Sequence, residues 1–413
     1  MDPAGVSILL VGLIALVTVG RVTDGPLPGR WVSSILIVVL SDAAALTDIK
    51  LWTSWFGGPG VALGLSLVTV GGLVIVNSRH RIPGLVAMVI GDILQILAQI
   101  RIGKAEIDVF NILQQGSWAL LHGANPYPIH YVSTTPGLAH LPYPYGPGAL
   151  LATFAGRLVG DVRFEEMLCM GLLILAVTMI ARRNLGSDGA WLLLALMLCS
   201  EFATFMIVQA WIELAGVTAV ALWLWLRTYH RRAATVVLGL GGSTTFMIWG
   251  PLLVIFFRNG RARAELIAAG AIAVLVSLPL ALWTGLGAFV WDVLLIQLKI
   301  PARGDALNVD GLWLQNHGTA LPGVVAWGVP LLLAAAFLLS RRKPDLPTGL
   351  IQGTTVLFVF LLLAKFAFFN YYFIVVFMTF AALAMGWGIS SGKHLPGPRP
   401  QPAEPVGDGL EPA

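Results

Sequence analysis

Two carboxylates begin the most chemically varied stretch of the chain. Glu106 and Asp108 stand one residue apart, and Asn111, Gln115 and His122 follow them. If these residues form a helix at about 100° per residue, the side chains of Asp108, Asn111, Gln115 and His122 project within an arc of about 60°. A carboxylate accepts a proton from a bound hydroxyl, and amides and an imidazole bind polar groups. The stripe is typical either of a chemical site or of an interfacial helix whose polar face meets water.

Proline and tyrosine dominate the second half of this polar stretch, which covers residues 105–147. A turn is expected around Asn125, because glycine and Asn-Pro break regular structure. Beyond it, the sequence PYPYGPG sets two tyrosines on a backbone stiffened by proline. Tyr127, Tyr143 and Tyr145 are expected either to anchor the loop at a membrane surface or to contact a substrate.

Composition indicates what holds this stretch in place. Of 413 residues, 57% are hydrophobic and only 11% are charged, whereas globular proteins carry about 25% charged residues. Apolar runs of about 20 residues are long enough to cross a membrane as helices. We therefore predict an all-α polytopic membrane protein with about 11–13 transmembrane helices and with interfacial helices in a long external loop.

The basic residues give the predicted orientation. They gather in short clusters between apolar runs, as at Arg79–Arg81, Arg182–Arg183 and Arg341–Lys343, which is the positive-inside pattern. This distribution argues against a nucleic-acid partner despite the formal charge of +4. It predicts a multi-pass protein of the plasma membrane whose polar loop is extracytoplasmic and whose C-terminus is cytoplasmic.

Four regions follow from this pattern. Residues 1–100 are expected to form four transmembrane helices, and residues 101–163 the external loop with interfacial helices. Residues 164–390 hold the other spans and a second external loop at 285–319, and residues 391–413 are expected to be a disordered tail rich in Pro and Gly. The individual spans are predicted at 5–20, 31–49, 60–77, 84–100, 164–182, 189–207, 210–228, 264–284, 320–340, 348–364 and 367–388.

Two apolar segments are predicted not to be simple crossings. The segment 146–160 is short and carries Arg157, so we expect it to lie along the outer interface or to re-enter. The segment 233–257 has basic clusters at both ends and contains Gly241-Gly242 and Trp249-Gly250-Pro251. Two half-helices joined by a break at the outer side fit it better than one long span.

The order of these motifs resembles a known superfamily. An acidic pair, a helix, the turn LLHGANPY and then PYPYGPGALL resemble the GT-C membrane glycosyltransferases. Within them the likeness is to bacterial enzymes that use polyprenyl-phosphate sugars, such as the actinobacterial mannosyltransferases. It covers roughly residues 100–390. The four spans before the acidic loop depart from the pattern, in which that loop usually follows the first span.

The resemblance implies roles for individual residues. Glu106-Ile-Asp108 fits the ExD form of the superfamily's acidic motif, which implies Asp108 as the catalytic base and Glu106 as its acidic companion. The segment MIVQAWIEL looks like one that brings a second amide or acidic position to the outer surface, here Gln209 and Glu213. The segment KFAFFNYYF, which contains Tyr371, looks like the outer hairpin near the lipid phosphate.

The implied reaction moves a sugar, with mannose favoured, from a polyprenyl-phosphate donor to an extracytoplasmic glycolipid or polysaccharide. Such a transfer needs a base for the acceptor hydroxyl and positive charge for the departing phosphate. Arg303 and Lys365 are expected to supply that charge. The alternative for each is that its side chain extends to lipid headgroups. A divalent metal that bridges Glu106 and Asp108 to phosphate is compatible with the sequence, but no cofactor is required.

Other interpretations stay open. Asp48 is a second candidate for the base. The broken helices, together with Asp42 and Asp92 inside predicted spans, also fit a polytopic transporter or a flippase for lipid-linked sugars. A third alternative is a non-catalytic membrane scaffold, which would not explain the stripe of polar residues that begins at Asp108. His130, His140 and His317 match no metal-ligand spacing and are expected to be polar loop residues.

Overall fold

The computed structural model describes residues 59–102, 108–133, 140–341, 343–365 and 367–386, together with Ile35. The predicted span at 5–20, Glu106 and the predicted tail at 391–413 lie outside this described part of the chain, as do Asp42 and Asp48. Of the span predicted at 31–49, only Ile35 is described. The disorder expected for the tail and the role expected for Glu106 therefore stay predictions.

The described chain is mostly helical. Its regular helices, in order, are α1 (Pro59–Asn77), α2 (Arg81–Ile102), α3 (Asp108–Leu121), α4 (Pro147–Leu158), α5 (Arg163–Leu198), α6 (Glu201–Gln209), α7 (Glu213–Leu226), α8 (Arg231–Gly242), α9 (Trp249–Arg258), α10 (Gly260–Thr284), α11 (Leu286–Val290), α12 (Ile296–Lys299), α13 (Val309–His317), α14 (Gly323–Leu339), α15 (Leu346–Leu363) and α16 (Phe369–Ala384).

Three of these helices are long and apolar enough to cross a membrane, namely α5, α10 and α15. Shorter apolar helices, including those at Gly323–Leu339 and Asn370–Ala384, stand beside them. The described residues thus bear out the helical class expected from composition. One small exception is an antiparallel pair in which β1 (Tyr131–Val132) aligns with β2 (His140–Leu141), which the all-α prediction did not include.

Three helices run between the same two ends of the molecule. At one end Glu166 of α5 and Glu213 of α7 lie within electrostatic reach of each other, and Asn370 of α16 is a hydrogen-bond donor to Glu213. At the other end Asn184 donates to the carbonyl of Ala384 at 3.2 Å, which joins α5 to α16. At 1.5 Å per residue, these ends are separated by about 21 Å along α16 and about 27 Å along α5.

The predicted break in segment 233–257 is confirmed. Helix α8 ends at Gly242, residues 243–245 are irregular, and a 3-10 turn at Phe246–Ile248 leads into α9. The indole of Trp249 donates to the carbonyl of Gly242 at 3.1 Å, which stabilises the break. Because the helix stops, the carbonyl of Ser243 is left to accept from the N–H of Gly148 at 3.0 Å. The break therefore holds the start of α4.

Other boundaries differ from the predictions. Helix α5 covers 36 residues and contains a kink at Gly186, whose φ is 76°. The non-helical backbone at Gly186 falls between the crossings predicted at 164–182 and 189–207, so the interruption expected between them is present. Segment 285–319, expected as a loop, is largely made of short helices that include a π-helix at Trp291–Leu295. Helix α4 has 12 residues, about 18 Å, which is too short to cross a hydrocarbon core of about 30 Å.

Glycine on α15 determines how closely α9 and α15 approach. A Cβ at Gly353 would overlap the carbonyl of Pro251, whose carbon would lie 2.6 Å away. We expect Gly353→Ala to lower the free energy of unfolding by about 1–3 kcal/mol, the usual cost of overpacking. Gly171 on α5 is the matched control, because a Cβ there would meet no atom within 4 Å. Denaturation in detergent checks both variants, and equal stability of the two would contradict this packing.

Candidate functional site

Asp108 is the first residue of α3 and is only partly exposed. Its Oδ2 accepts a hydrogen bond at 2.8 Å from the hydroxyl of Ser133, which follows β1. A carboxylate at this position can accept a proton from a bound hydroxyl.

Helix α3 shows the predicted division into two faces. Ile112, Leu113 and Ser117 are buried, and the hydroxyl of Ser117 lies 2.6 Å from that of Thr153 on α4. Asn111, Gln115 and His122 are all exposed. His122 is beyond the helix end, and its Nδ1 lies 2.8 Å from the carbonyl of Trp118. The three exposed residues lie on the same open face as expected, and their contact with a substrate stays a prediction.

Helix α3 continues through Gly116. The missing side chain of this glycine makes room for an aromatic ring. A Cβ there would lie 2.6 Å from Cε2 of Tyr143. Tyr143 and Tyr127 are both fully buried, and their ring centroids are 5.3 Å apart in an edge-on arrangement. The hydroxyl of Tyr127 donates to the carbonyl of Tyr145 at 3.0 Å. These two tyrosines form the core of the loop, and the contact with a substrate expected for them from the sequence stays a prediction.

Tyr145 lies near two carboxylates that are far apart in the sequence. It is partly exposed, and burial together with the negative charges of Asp108 and Glu213 raises the pKa of its hydroxyl. The first residues of α3 and α7 therefore both lie within electrostatic range of this hydroxyl. The phenol therefore stays neutral at physiological pH and can donate a hydrogen bond into the space between the two acids.

Glu213 belongs to a buried polar group at the start of α7. It is 5% exposed and interacts with the side chain of Asn370. Gln209, four residues earlier and 2% exposed, has an Oε1 that no group in the described residues satisfies. The chain between them turns sharply, with Ala210 in the left-handed region at φ 52°. Tyr371 lies within electrostatic reach of Glu213 and of Asp108.

Arg303 and Lys365 come together in the structure. The N–H of Arg303 donates to the carbonyl of Lys365 at 3.1 Å, so the late loop is docked on the turn between α15 and α16. The guanidinium lies 4.5 Å from the ring centre of Phe368 and within electrostatic reach of Tyr371. Asp305 forms two hydrogen bonds with it, at 2.9 and 2.6 Å, and these lower the pKa of the Asp305 carboxyl.

Asn125 has a structural place at the edge of this region. Its side-chain oxygen accepts from the N–H of Tyr127 at 3.1 Å, which closes the expected turn. Its amide nitrogen donates to Thr284 at 3.1 Å and so ties the loop to the end of α10. Of the residues singled out from the sequence, those that converge are thus Asp108, Tyr145, Glu213, Arg303 and Tyr371, with Gln209 and the backbone of Lys365 beside them.

Sequence reasoning missed Ser133, Asn370 and Glu166. Ser133 contacts Asp108 across 25 positions, a pairing that no local pattern signals. Asn370 is the only amide in the run KFAFFNYYF, and a polar residue in such an apolar run could have been noted. Glu166 is 1% exposed, and neither carboxylate oxygen has a hydrogen-bond partner among the described residues.

Within the described ranges, no three His, Cys, Asp or Glu side chains gather in a way that could hold a metal ion. This finding does not bear on a metal shared by Glu106 and Asp108, because Glu106 lies outside the described residues. Comparisons of the chain with protein-family models, with curated proteins and with solved structures find no match.

Proposed function

We propose that this protein is a membrane glycosyltransferase of the GT-C type. In this proposal it moves a hexose, with mannose favoured, from a polyprenyl-phosphate donor to an extracytoplasmic glycolipid or polysaccharide. The observation that carries the proposal is the convergence of two carboxylates, Asp108 and Glu213, with the guanidinium of Arg303 around Tyr371. The backbone carbonyl of Lys365 accepts from the N–H of Arg303, which brings a second basic residue beside this group. Negatively and positively charged side chains are thus close together in an otherwise apolar chain.

The proposed step divides the work between these groups. The acceptor hydroxyl attacks the anomeric carbon, forming a new C–O bond while its proton passes to Asp108. The bond between that carbon and the phosphate oxygen breaks, and the phosphate leaves with the electron pair. Arg303 and Lys365 stabilise the charge on the departing phosphate. Glu213, Gln209 and Asn370 offer hydrogen-bonding groups for sugar hydroxyls.

A bilayer setting supports this assignment. Helices α5, α10 and α15 are long and apolar enough to span it, and the candidate site lies at one end of α5, as expected for a reaction at the membrane surface. A polyprenyl donor keeps its chain in lipid and presents only its phosphate and sugar at that surface. We therefore propose a multi-pass plasma-membrane protein with this site outside the cytoplasm.

Donor recognition gives the direct test. Purified protein is supplied with radiolabelled polyprenyl-phosphate-mannose and a membrane lipid extract, and labelled glycolipid is separated from donor. We expect transfer by the wild type, and by Arg303→Gln a Michaelis constant for donor raised on the order of tenfold, because a charge-assisted hydrogen bond contributes about 1.5–3 kcal/mol. Absence of transfer with every extract fraction, or an unchanged donor constant in the variant, would contradict the proposal.

The charge of Lys365 predicts a pH dependence. Burial lowers the pKa of its ammonium below the ordinary value, so the group loses its positive charge as pH rises through that lowered pKa. Transfer should then fall on the alkaline side. Lys365→Arg keeps its charge at every accessible pH, and we expect this variant to retain activity further into the alkaline range. Rate profiles of the two proteins check this, and superimposable alkaline limbs would exclude Lys365 as the titrating group.

A further inference from the structure

A second polar region lies at the opposite end of the molecule from the candidate site. Helices α5, α7 and α16 lead to it, and it contains a cavity of about 420 Å³. Met179 and Arg183 line this cavity from α5, Leu224 and Arg227 from α7, and Met385 from the end of α16. From Glu166 to Arg183 the helical rise is about 25 Å, which is close to the thickness of a hydrocarbon core.

Three arginines line the cavity, and they differ in their partners. Arg227 is held by Glu265, with Nη2 to Oε1 at 3.1 Å. Arg183 and Arg231 are exposed, and among the ion pairs of the described residues neither takes part. The guanidinium of Arg183 instead lies 6.0 Å from the ring centre of Tyr229. The cavity therefore carries positive charge that no described carboxylate neutralises.

The other walls indicate what kind of anion fits. Trp225 and Tyr229 line the cavity, and such aromatic side chains favour the headgroup level of a bilayer. Met179, Leu224 and Met385 give it an apolar side, which a small soluble anion would not use. Arginine binds phosphate through two parallel hydrogen bonds. Basic pockets between membrane helices on the cytoplasmic side suit phospholipid headgroups for these reasons.

We propose that this cavity binds the phosphate of an anionic phospholipid in the leaflet opposite to the candidate site. Arg183 and Arg231 bind the phosphate, while Arg227, paired with Glu265, lines the back of the cavity. The glycerol and the first acyl carbons lie against the methionine and leucine wall. This inference does not depend on the proposed sugar transfer, because the cavity shares no lining residue with the candidate site.

Lipid titration tests the assignment. The purified full chain in neutral detergent is titrated with phosphatidylglycerol or phosphatidylcholine, and bound lipid is counted by native mass spectrometry. The pocket variant Arg183→Gln/Arg231→Gln is compared with Arg182→Gln/Arg232→Gln, which removes the same charge from the neighbouring positions outside the cavity lining. We expect the wild type and the control to prefer phosphatidylglycerol on the order of tenfold, and the pocket variant to lose that preference.

Three outcomes would overturn the proposal: a pocket variant that keeps the preference, equal loss in both variants, and displacement of phosphatidylglycerol by an equal concentration of inorganic phosphate. The last would assign the cavity to a soluble anion. Thermal unfolding in the same detergent shows whether the variants are folded. If the double variant is not, Arg231→Gln alone carries the same comparison, because this residue begins α8 and is exposed.

Discussion

Replacing Asp108 with Asn is expected to reduce sugar transfer by about 10²–10⁴-fold, the usual contribution of a general base. The amide has nearly the same shape and can still interact with the Ser133 hydroxyl that now donates to Oδ2 at 2.8 Å. It cannot, however, take a proton from the acceptor. The loss should therefore appear in the turnover number, with the Michaelis constant for donor little changed. Initial rates with labelled donor measure both constants.

Asp188→Asn is the matched control for this loss. Asp188 is also a carboxylate, but its side chain is 75% exposed and pairs with Arg81 at the basic end of the molecule. We expect this variant to transfer sugar at the wild-type rate. Equal activity of Asp108→Asn and Asp188→Asn would mean that Asp108 is not the base, since the chemistry would then survive without its carboxylate.

Arg227→Met is expected to lower the free energy of unfolding by about 3–5 kcal/mol, because it leaves a largely buried carboxylate without its ion partner. Arg227 donates to both oxygens of Glu265, at 3.1 and 3.2 Å, and the indole of Trp223 donates to the same carboxylate at 2.9 Å. The side chains of the pair are only 16% and 10% exposed. This pair joins α7 to α10, so equilibrium unfolding in mixed detergent micelles reports the loss.

The double variant Arg227→Met/Glu265→Leu separates the ion pair from its packing. Replacing both charges with apolar groups is often nearly neutral, so we expect most of the lost stability to return. The exposed pair of Arg81 and Asp188 is the second control, since breaking an exposed pair costs at most about 1 kcal/mol. A single Arg227→Met variant as stable as the wild type would contradict the described pairing.

Breaks signalled by residue type could be predicted, whereas breaks produced by tertiary contacts could not. Gly241-Gly242 and Trp-Gly-Pro predicted the interruption between α8 and α9. The interruption at Gly186 falls in the loop predicted between residues 182 and 189, where glycine stands among charged and polar residues. The pairing of β1 with β2 is two residues long, too short for any alternating pattern to indicate.

Within the candidate site, charged residues were easier to identify than their surroundings. Arg303 and Lys365 stand out because charge is rare in an apolar chain, and the structure places them on adjoining backbone segments. The burial of Tyr127 and Tyr143 could not be inferred, since it depends on the space above Gly116 and on a distant helix. Asn370 acquires its place only when α16 packs beside α7.

One measurement tests the central claim most directly. The protein is reconstituted into sealed vesicles with polyprenyl-phosphate-mannose labelled in the sugar and with membrane lipid extract, and label is followed in donor, acceptor and aqueous fractions. The account predicts that label leaves the donor and appears covalently bound to an acceptor, with unlabelled polyprenyl phosphate released in equal amount. Movement of intact labelled donor between leaflets, without new labelled product, would contradict it and would identify a flippase instead.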